Sequence, residues 1–313
     1  MYQVLLSSAK YLITVLPLIA VSLFCAALLQ NLGMLNKFAK IARPLTRYGN
    51  LSDECGISFL TAFASPAGAN AILMKYYKSG SIEKKELAIA VLTNSFPVIF
   101  IHWRSMLPTL IIFLGRTGAV YFGILTAIGF LCTLTGLTAG RLILKKNNGL
   151  NGYNETVPSG RKPFKVAVKN SFTETFATFK KIAIITACAT IAVFLLIHTG
   201  IFESLEGWIR TNFRFLPIPP EGISIIVGHL GHYVASYSIA GNLLSRGMLS
   251  HKNIILCLLT AQAAGAFFTA IRASAPYYVG IFGVKLGVQL MALTTAVRTG
   301  LILVAIVLLY YLW

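Results

Sequence analysis

The chain has 313 residues, of which 56% are apolar and 12% are charged, and its formal net charge is +18. Soluble domains carry about 25% charged residues, so this composition excludes a soluble globular protein and indicates a membrane protein. The positive charge requires no nucleic-acid partner, because most basic residues fall in segments that the positive-inside rule assigns to the cytoplasm. The five cysteines occur singly, so neither a metal centre nor another cofactor is expected.

Six apolar runs are long enough to cross a membrane, which predicts an all-α, multi-pass protein of the cytoplasmic membrane. In chain order they cover residues 11–30, 87–103, 117–142, 182–197, 253–271 and 286–313. The first run is too long, and too polar at its end, for a cleaved signal peptide, so we predict a retained helix.

The first apolar run is followed by an amphipathic segment at 34–47 and then by a broken apolar stretch at 56–73. We expect the amphipathic segment to lie at the membrane interface. Ser65-Pro66-Ala67-Gly68 interrupts the broken stretch, and each half spans roughly 13 Å of helix against a hydrocarbon core of about 30 Å. The stretch is therefore predicted as a re-entrant helical hairpin, with one kinked transmembrane helix as the alternative.

The second part of the chain repeats the first at a spacing of about 167 residues. The matched pairs include Gly56 and Gly222, Gly80 and Gly247, Arg104 and Arg272, and Pro108 and Pro276. Each copy has a spanning helix, an interfacial helix, a hairpin and two further, partly broken spans. Because three spans per copy is an odd number, we predict inverted repeats with both termini outside. The polar segment 145–180 between the copies is predicted as a cytoplasmic linker with little structure of its own.

Polar side chains cluster at the predicted breaks, where helix ends and uncapped backbone groups meet a ligand in transporter folds. The candidate substrate-binding residues are Ser65, Asn70, Asn94, Ser95, His229, His232, Gln262 and Arg298. Arg298 lies within the last apolar run and no acidic residue lies in any run, so its partner is either an anion or exposed carbonyl groups. The alternative for the other residues is that they form hydrogen bonds with backbone groups left unpaired at the breaks, or that they hold neighbouring helices together.

Motifs for catalysis are missing from the sequence, which holds no paired carboxylates, no Gly-x-Ser-x-Gly and no phosphate loop, so we do not expect an enzyme. The spacing of His229 and His232 places both on one helix face. Without a thiol or carboxylate nearby, this pair is a weak metal site.

Glu54-Cys55-Gly56 opens the first hairpin, Pro220-Glu221-Gly222 opens the second, and the Thr93–Pro97 segment breaks the following helix. In this order of parts the chain resembles the Gate (nucleoside recognition) domain superfamily. The same plan occurs in concentrative nucleoside transporters, the membrane domain of the ferrous-iron transporter and spore maturation membrane proteins. The resemblance implies a first Gate-type repeat at 1–144, the linker at 145–180 and a second repeat at 181–313.

The resemblance favours a secondary transporter or permease for a small polar solute, either anionic or nucleoside-like. The predicted hairpin tips offer serine, asparagine and histidine but no acidic side chain, whereas nucleoside transporters carry acidic and amide side chains there. The resemblance therefore predicts the fold but not the substrate. A scaffolding or signalling membrane protein and a protein that handles lipid headgroups are the alternatives. The expected partners are the solute and the lipid bilayer, and self-association into a homo-oligomer is compatible with the sequence.

Overall fold

The computed structural model describes residues 35–63, 65–145, 163–198, 219–231 and 233–312, with isolated helical residues between positions 9 and 31. Every regular element within these residues is a helix. Two of the described helices are long and apolar enough to cross a membrane, and a helix pair bent by 49° is a third candidate span. The protein is therefore an all-α membrane protein.

The first half contains six described helices. They are α1 (Leu35–Tyr48), α2 (Asp53–Ala62), α3 (Pro66–Lys78), α4 (Lys84–Thr93), α5 (Ser95–Leu114) and α6 (Arg116–Ile143). The predicted span at 117–142 corresponds to α6, and the predicted span at 87–103 is divided between α4 and α5 at Asn94.

Six further helices follow. They are α7 (Phe164–His198), α8 (Ile223–Gly231), α9 (Tyr233–Ser245), α10 (His251–Ala264), α11 (Ala266–Phe282) and α12 (Val284–Leu312). A π-helical turn, Ala270–Ser274, lies within α11. The helices α10 and α11 form the bent candidate span, and α12 corresponds to the predicted span at 286–313.

The prediction of an unstructured linker is wrong for its second part, because α7 begins at Phe164. Ala167, Ser171 and Thr175 are buried and recur every four residues, so they form one face of this helix. The side-chain amide of Asn31 donates a hydrogen bond to Ser171 Oγ at 3.0 Å. Small and hydroxyl side chains make this buried face, which is why the polar composition concealed it.

The segment 104–116 separates two predicted spans in the sequence, but in the structure α5 continues through it to Leu114. The chain reverses at Gly115, whose φ of 54° is a conformation that glycine adopts without a steric penalty. The matching position in the second half is Gly283, with φ of 80°. Gly80 and Gly247 form a second matched pair, with φ of 76° and 67°.

The first broken stretch folds back on itself at its predicted interruption. Ser58 Oγ in α2 donates a hydrogen bond to the carbonyl oxygen of Ala69 in α3 at 3.0 Å, whereas a continuous helix would separate these residues by roughly 16 Å. One kinked helix is therefore excluded for this stretch. In the second half, a Cβ atom on Gly228 of α8 would lie 2.7 Å from Ile239 Cδ1 of α9, so these helices also pack side by side.

Contacts between helix ends define two ends of the bundle. At the His251 end, the start of α6 meets the start of α10 through Thr117 Oγ1 and His251 Nδ1, which are 2.6 Å apart. At the Arg141 end, the Asn50 side-chain amide donates a hydrogen bond to the Arg141 carbonyl oxygen at 3.2 Å. The start of α4 and the end of α11 also lie at the Arg141 end, where Leu87 and Phe282 share a buried cluster with Leu137 of α6.

Candidate functional site

Asn94 occupies the break between α4 and α5, where it faces the hairpin formed by α2 and α3. Its side chain is 4% exposed, and its Nδ2 donates a hydrogen bond to Ser58 Oγ at 2.9 Å. Asn94 Oδ1 is buried and has no hydrogen-bond partner among the described residues. Leaving a buried acceptor unpaired costs about 1–3 kcal/mol, so this oxygen is a strong candidate for a ligand contact.

Thr133 of α6 satisfies the backbone that the break exposes. Pro97 has no N–H group and therefore leaves the carbonyl oxygen of Thr93 without its helical partner. The hydroxyl of Thr133 donates to that oxygen at 2.7 Å and accepts a hydrogen bond from the backbone N–H of Phe96 at 3.0 Å. The break is thus held by a specific partner on a neighbouring helix and is a stable part of the fold.

Asn70 connects the first hairpin to the second half of the chain. Its Nδ2 donates a hydrogen bond to the hydroxyl oxygen of Tyr277 in α11 at 2.7 Å, and the side chain is 5% exposed. Asn70 belongs to α3, and Asn94 contacts Ser58 of α2. The structure therefore brings these two predicted residues to the same hairpin.

Ser65 and Ser95 satisfy backbone groups near their own positions. Ser65 Oγ accepts a hydrogen bond from the N–H of Gly68 at 3.1 Å and thereby caps α3. Ser95 Oγ donates to the carbonyl oxygen of Leu92 at 2.6 Å. These contacts agree with the alternative interpretation, in which hydroxyl groups at a break serve the backbone.

His229 lies at the second break, which falls at Gly265 between α10 and α11. A Cβ atom on Gly265 would be 3.0 Å from His229 Cδ2, so the imidazole packs directly over this glycine. Gln262 is half-buried near the end of α10, close to the same break. His232, also predicted in the site, lies outside the described residues.

Arg298 is half-buried in α12 and lies near two tyrosines of other helices. Its neighbours Val297 and Leu301 pack against the buried cluster that contains Tyr121 of α6 and Tyr237 of α9. In the part of the chain that the structure describes, Arg298 donates no hydrogen bond to a carbonyl group.

The sequence analysis did not include Ser58, Tyr277, Tyr121 and Tyr237 among the site residues. Ser58 and Tyr277 contact the predicted residues only through the tertiary fold. A signal for Tyr237 existed, because the repeat spacing of about 167 residues pairs it with Asn70.

Comparison with known proteins identifies a family for the first half of the chain. The sequence profile of the family described as Nucleoside recognition, or Gate, matches residues 12–120, which include the first hairpin and the break at Asn94. The chain belongs to the Gate family. No solved structure matches this Gate protein.

Three relatives of this Gate protein from Methanocaldococcus jannaschii match it over nearly its whole length. "Uncharacterized protein MJ1556" is 33% identical over 297 residues, which are 95% of this chain and 94% of the relative. "Uncharacterized protein MJ0880" is 26% identical over 304 residues, or 95% of this chain and 97% of the relative. "Uncharacterized protein MJ0871" is 24% identical over 292 residues, or 93% of this chain and 90% of the relative.

Proposed function

We propose that this Gate protein is a secondary transporter or permease of the cytoplasmic membrane, with no enzymatic activity and no cofactor. Its substrate is a small polar solute, either anionic or nucleoside-like. The two halves are inverted repeats at 1–144 and 181–313, joined by the segment 145–180, and α1 lies at the membrane interface. The hairpins α2–α3 and α8–α9 are re-entrant and enter from opposite faces.

The contacts at the two ends of the bundle support the inverted arrangement. The pair α4–α5 begins at the Arg141 end, where Leu87 packs with Leu137, whereas α10–α11 begins at the His251 end and finishes at the Arg141 end. Lys252 Nζ donates a hydrogen bond to the carbonyl oxygen of Tyr310 at 3.2 Å, so the end of α12 also lies at the His251 end. These contacts support opposite directions for the equivalent helices of the two halves, as inverted repeats require.

The unpaired Asn94 oxygen is the observation that carries the proposed binding function. It lies where a broken helix meets a hairpin, which is the place where transporters of this architecture hold their substrates. The amide nitrogen is already engaged with Ser58, so the free oxygen is oriented to accept a hydrogen bond from a solute N–H or O–H group. Hydroxyl and amino groups of a nucleoside-like solute provide such donors.

Ligand-induced stabilisation of the purified protein tests this function. The melting temperature is measured with panels of nucleosides, nucleotides, carboxylates and lipids, because a bound solute at about 100 times its Kd stabilises the folded state by about 2.7 kcal/mol. We expect one soluble compound to stabilise the wild-type protein and to be counter-transported in proteoliposomes. Asn94→Leu should lose the response, whereas Asn242→Leu, the same change at an exposed position of α9, should keep it.

Two other outcomes contradict the transport function. A response to anionic lipid alone would favour headgroup handling, and a response to none of the compounds would favour a scaffolding or signalling role. Loss of the response in Asn242→Leu as well as Asn94→Leu would show that the substitutions act through folding and not through the site.

A further inference from the structure

Two tyrosine hydroxyl groups lie buried at the contact between α6 and α9. Tyr121 and Tyr237 are both 0% exposed, and their rings meet edge to face with centroids 6.3 Å apart. Neither hydroxyl has a hydrogen-bond partner among the described residues. We call these two residues, together with Arg298 of α12, the tyrosine–arginine cluster.

The tyrosine–arginine cluster carries a positive charge and contains no carboxylate. The sequences of α6, α9 and α12 include no aspartate or glutamate. Arginine cannot lose its proton at these depths, so its charge in an apolar bundle needs an anionic or strongly polar partner. Within the described residues it donates no hydrogen bond, and its neighbours Val297 and Leu301 pack against the buried cluster that holds both tyrosines.

The three side chains of the cluster can all donate hydrogen bonds. Each phenol can donate one hydrogen bond, and the guanidinium group presents several donors in a planar fork. An oxyanion, meaning a carboxylate or a phosphate group, accepts hydrogen bonds from all three side chains and neutralises the charge. A cation would be repelled by Arg298, and an apolar group would leave both hydroxyls unpaired.

The complete burial of both hydroxyls indicates that this conformation is closed at the cluster. Tyr237 belongs to α9, the second arm of the hairpin α8–α9, whereas Tyr121 belongs to the long helix α6. A displacement of α9 from α6 would therefore separate the two rings. In broken-helix transporters a site alternates in this way between closed and open states.

We propose that Tyr121, Tyr237 and Arg298 bind an oxyanion group, and that the site opens when the hairpin α8–α9 moves away from α6. The binding site stands on the cluster itself, and only the assignment of its ligand as a transported solute rests on the proposed function. A soluble anion and the phosphate of a lipid headgroup share this chemistry, so both sources enter the experiment.

Inorganic phosphate serves as the probe with the full-length protein in a neutral detergent. The double variant Tyr121→Phe/Tyr237→Phe should melt at a higher temperature than wild type without phosphate, since it removes two buried unpaired hydroxyls. The same variant should bind phosphate about tenfold or more weakly, because hydrogen bonds to a charged group are lost. Tyr311→Phe is the matched control at a residue that is 79% exposed, and both of its properties should equal those of wild type.

Two substitutions of Arg298 separate the effects of its charge and of its planar shape on phosphate binding. Arg298→Leu should abolish phosphate binding, and Arg298→Lys should restore only part of it, because the lysine keeps the charge and loses the planar fork. The control Arg246→Leu removes a positive charge at an exposed position between α9 and α10 and should leave phosphate binding unchanged. Competition by phosphatidylglycerol but not phosphatidylcholine vesicles would identify a lipid headgroup as the source of the oxyanion.

Two results would overturn the proposed site. One is a double tyrosine variant that melts at a lower temperature and binds phosphate as wild type does, which would assign the hydroxyls to folding. The other is phosphate binding that survives Arg298→Leu in a folded protein. Phosphate binding that depends on the cluster, without counter-transport of any solute, would keep this site and reject the transport function.

Discussion

Individual side chains hold the first hairpin at its open end as well as near its tip. Glu86 Oε1 at the start of α4 accepts a hydrogen bond from the backbone N–H of Ser52 at 2.7 Å, directly before α2. Ser52 is buried, so this N–H has little access to water. Nearby, Arg43 and Asp53 form a salt bridge at 3.2 Å, with side chains 36% and 25% exposed.

These two carboxylates should differ in what they contribute to stability. Glu86→Ala leaves the Ser52 N–H unpaired and is expected to lower the free energy of unfolding by about 1–3 kcal/mol. Asp53→Ala breaks a partly exposed ion pair and should cost about 0–1 kcal/mol. Denaturation of both variants in mixed micelles measures the difference, and an Asp53 variant that is the less stable of the two would contradict this assignment.

Sequence reasoning at this scale selected Asn70 and Asn94 as candidate substrate-binding residues but did not identify their partners. Ser58 is 36 positions from Asn94, and Tyr277 is 207 positions from Asn70. Such pairs follow from the packing of separate helices, and no local pattern encodes them. Ser65 and Ser95 were included because each lies at a predicted break, yet their hydroxyl groups form hydrogen bonds with nearby backbone.

Among the helices, α6 passes closest to the broken pair α4–α5, and a glycine permits this approach. A Cβ atom on Gly136 would lie 2.8 Å from Thr93 Oγ1 and 3.1 Å from the Thr93 backbone nitrogen. Gly123, on the same helix, would place its Cβ in open space. Small residues at helix contacts are a general means of close packing in membranes.

Gly136 and Gly123 should therefore respond differently to the same substitution. Gly136→Ala forces α6 away from Thr93 and should destabilise the protein by about 1–3 kcal/mol. Gly123→Ala should be neutral or stabilising by up to about 1 kcal/mol, because alanine loses less backbone entropy in a helix. Melting temperatures of the two variants decide this, and equal destabilisation would show that α6 does not depend on close contact at Gly136.

Helices with long, uniform apolar sequence were predicted well, as α6 and α12 show. The helical part of 145–180 was missed because its buried face consists of small and hydroxyl residues. The continuation of α5 through Arg104 and Pro108 was missed because charge and proline usually mark a helix end. In each case the tertiary environment accepted residues that local sequence rules disfavour.

At the scale of the whole molecule, the proposed inverted repeat brings elements of the two halves into contact. The first hairpin contacts α11 through Asn70 and Tyr277, and the second hairpin contacts α5, where a Cβ atom on Gly241 would lie 3.2 Å from the carbonyl carbon of Phe113. Each hairpin therefore touches the broken helix pair of the other half. Such contacts between the halves would couple their movement, as alternating exposure of a central site requires.

Membrane-sidedness of the two hairpins tests this inverted arrangement most directly. Single cysteines replace Lys78 after the first hairpin, Arg246 after the second, and Glu155 between the halves, in a background without the five native cysteines. Lys78 and Arg246 are both exposed, so labelling by a membrane-impermeant maleimide depends on the side of the membrane and not on burial. We expect Arg246→Cys to label from outside intact cells, and Lys78→Cys and Glu155→Cys to label only after permeabilisation. Labelling of Lys78→Cys and Arg246→Cys from the same face would contradict the inverted repeat.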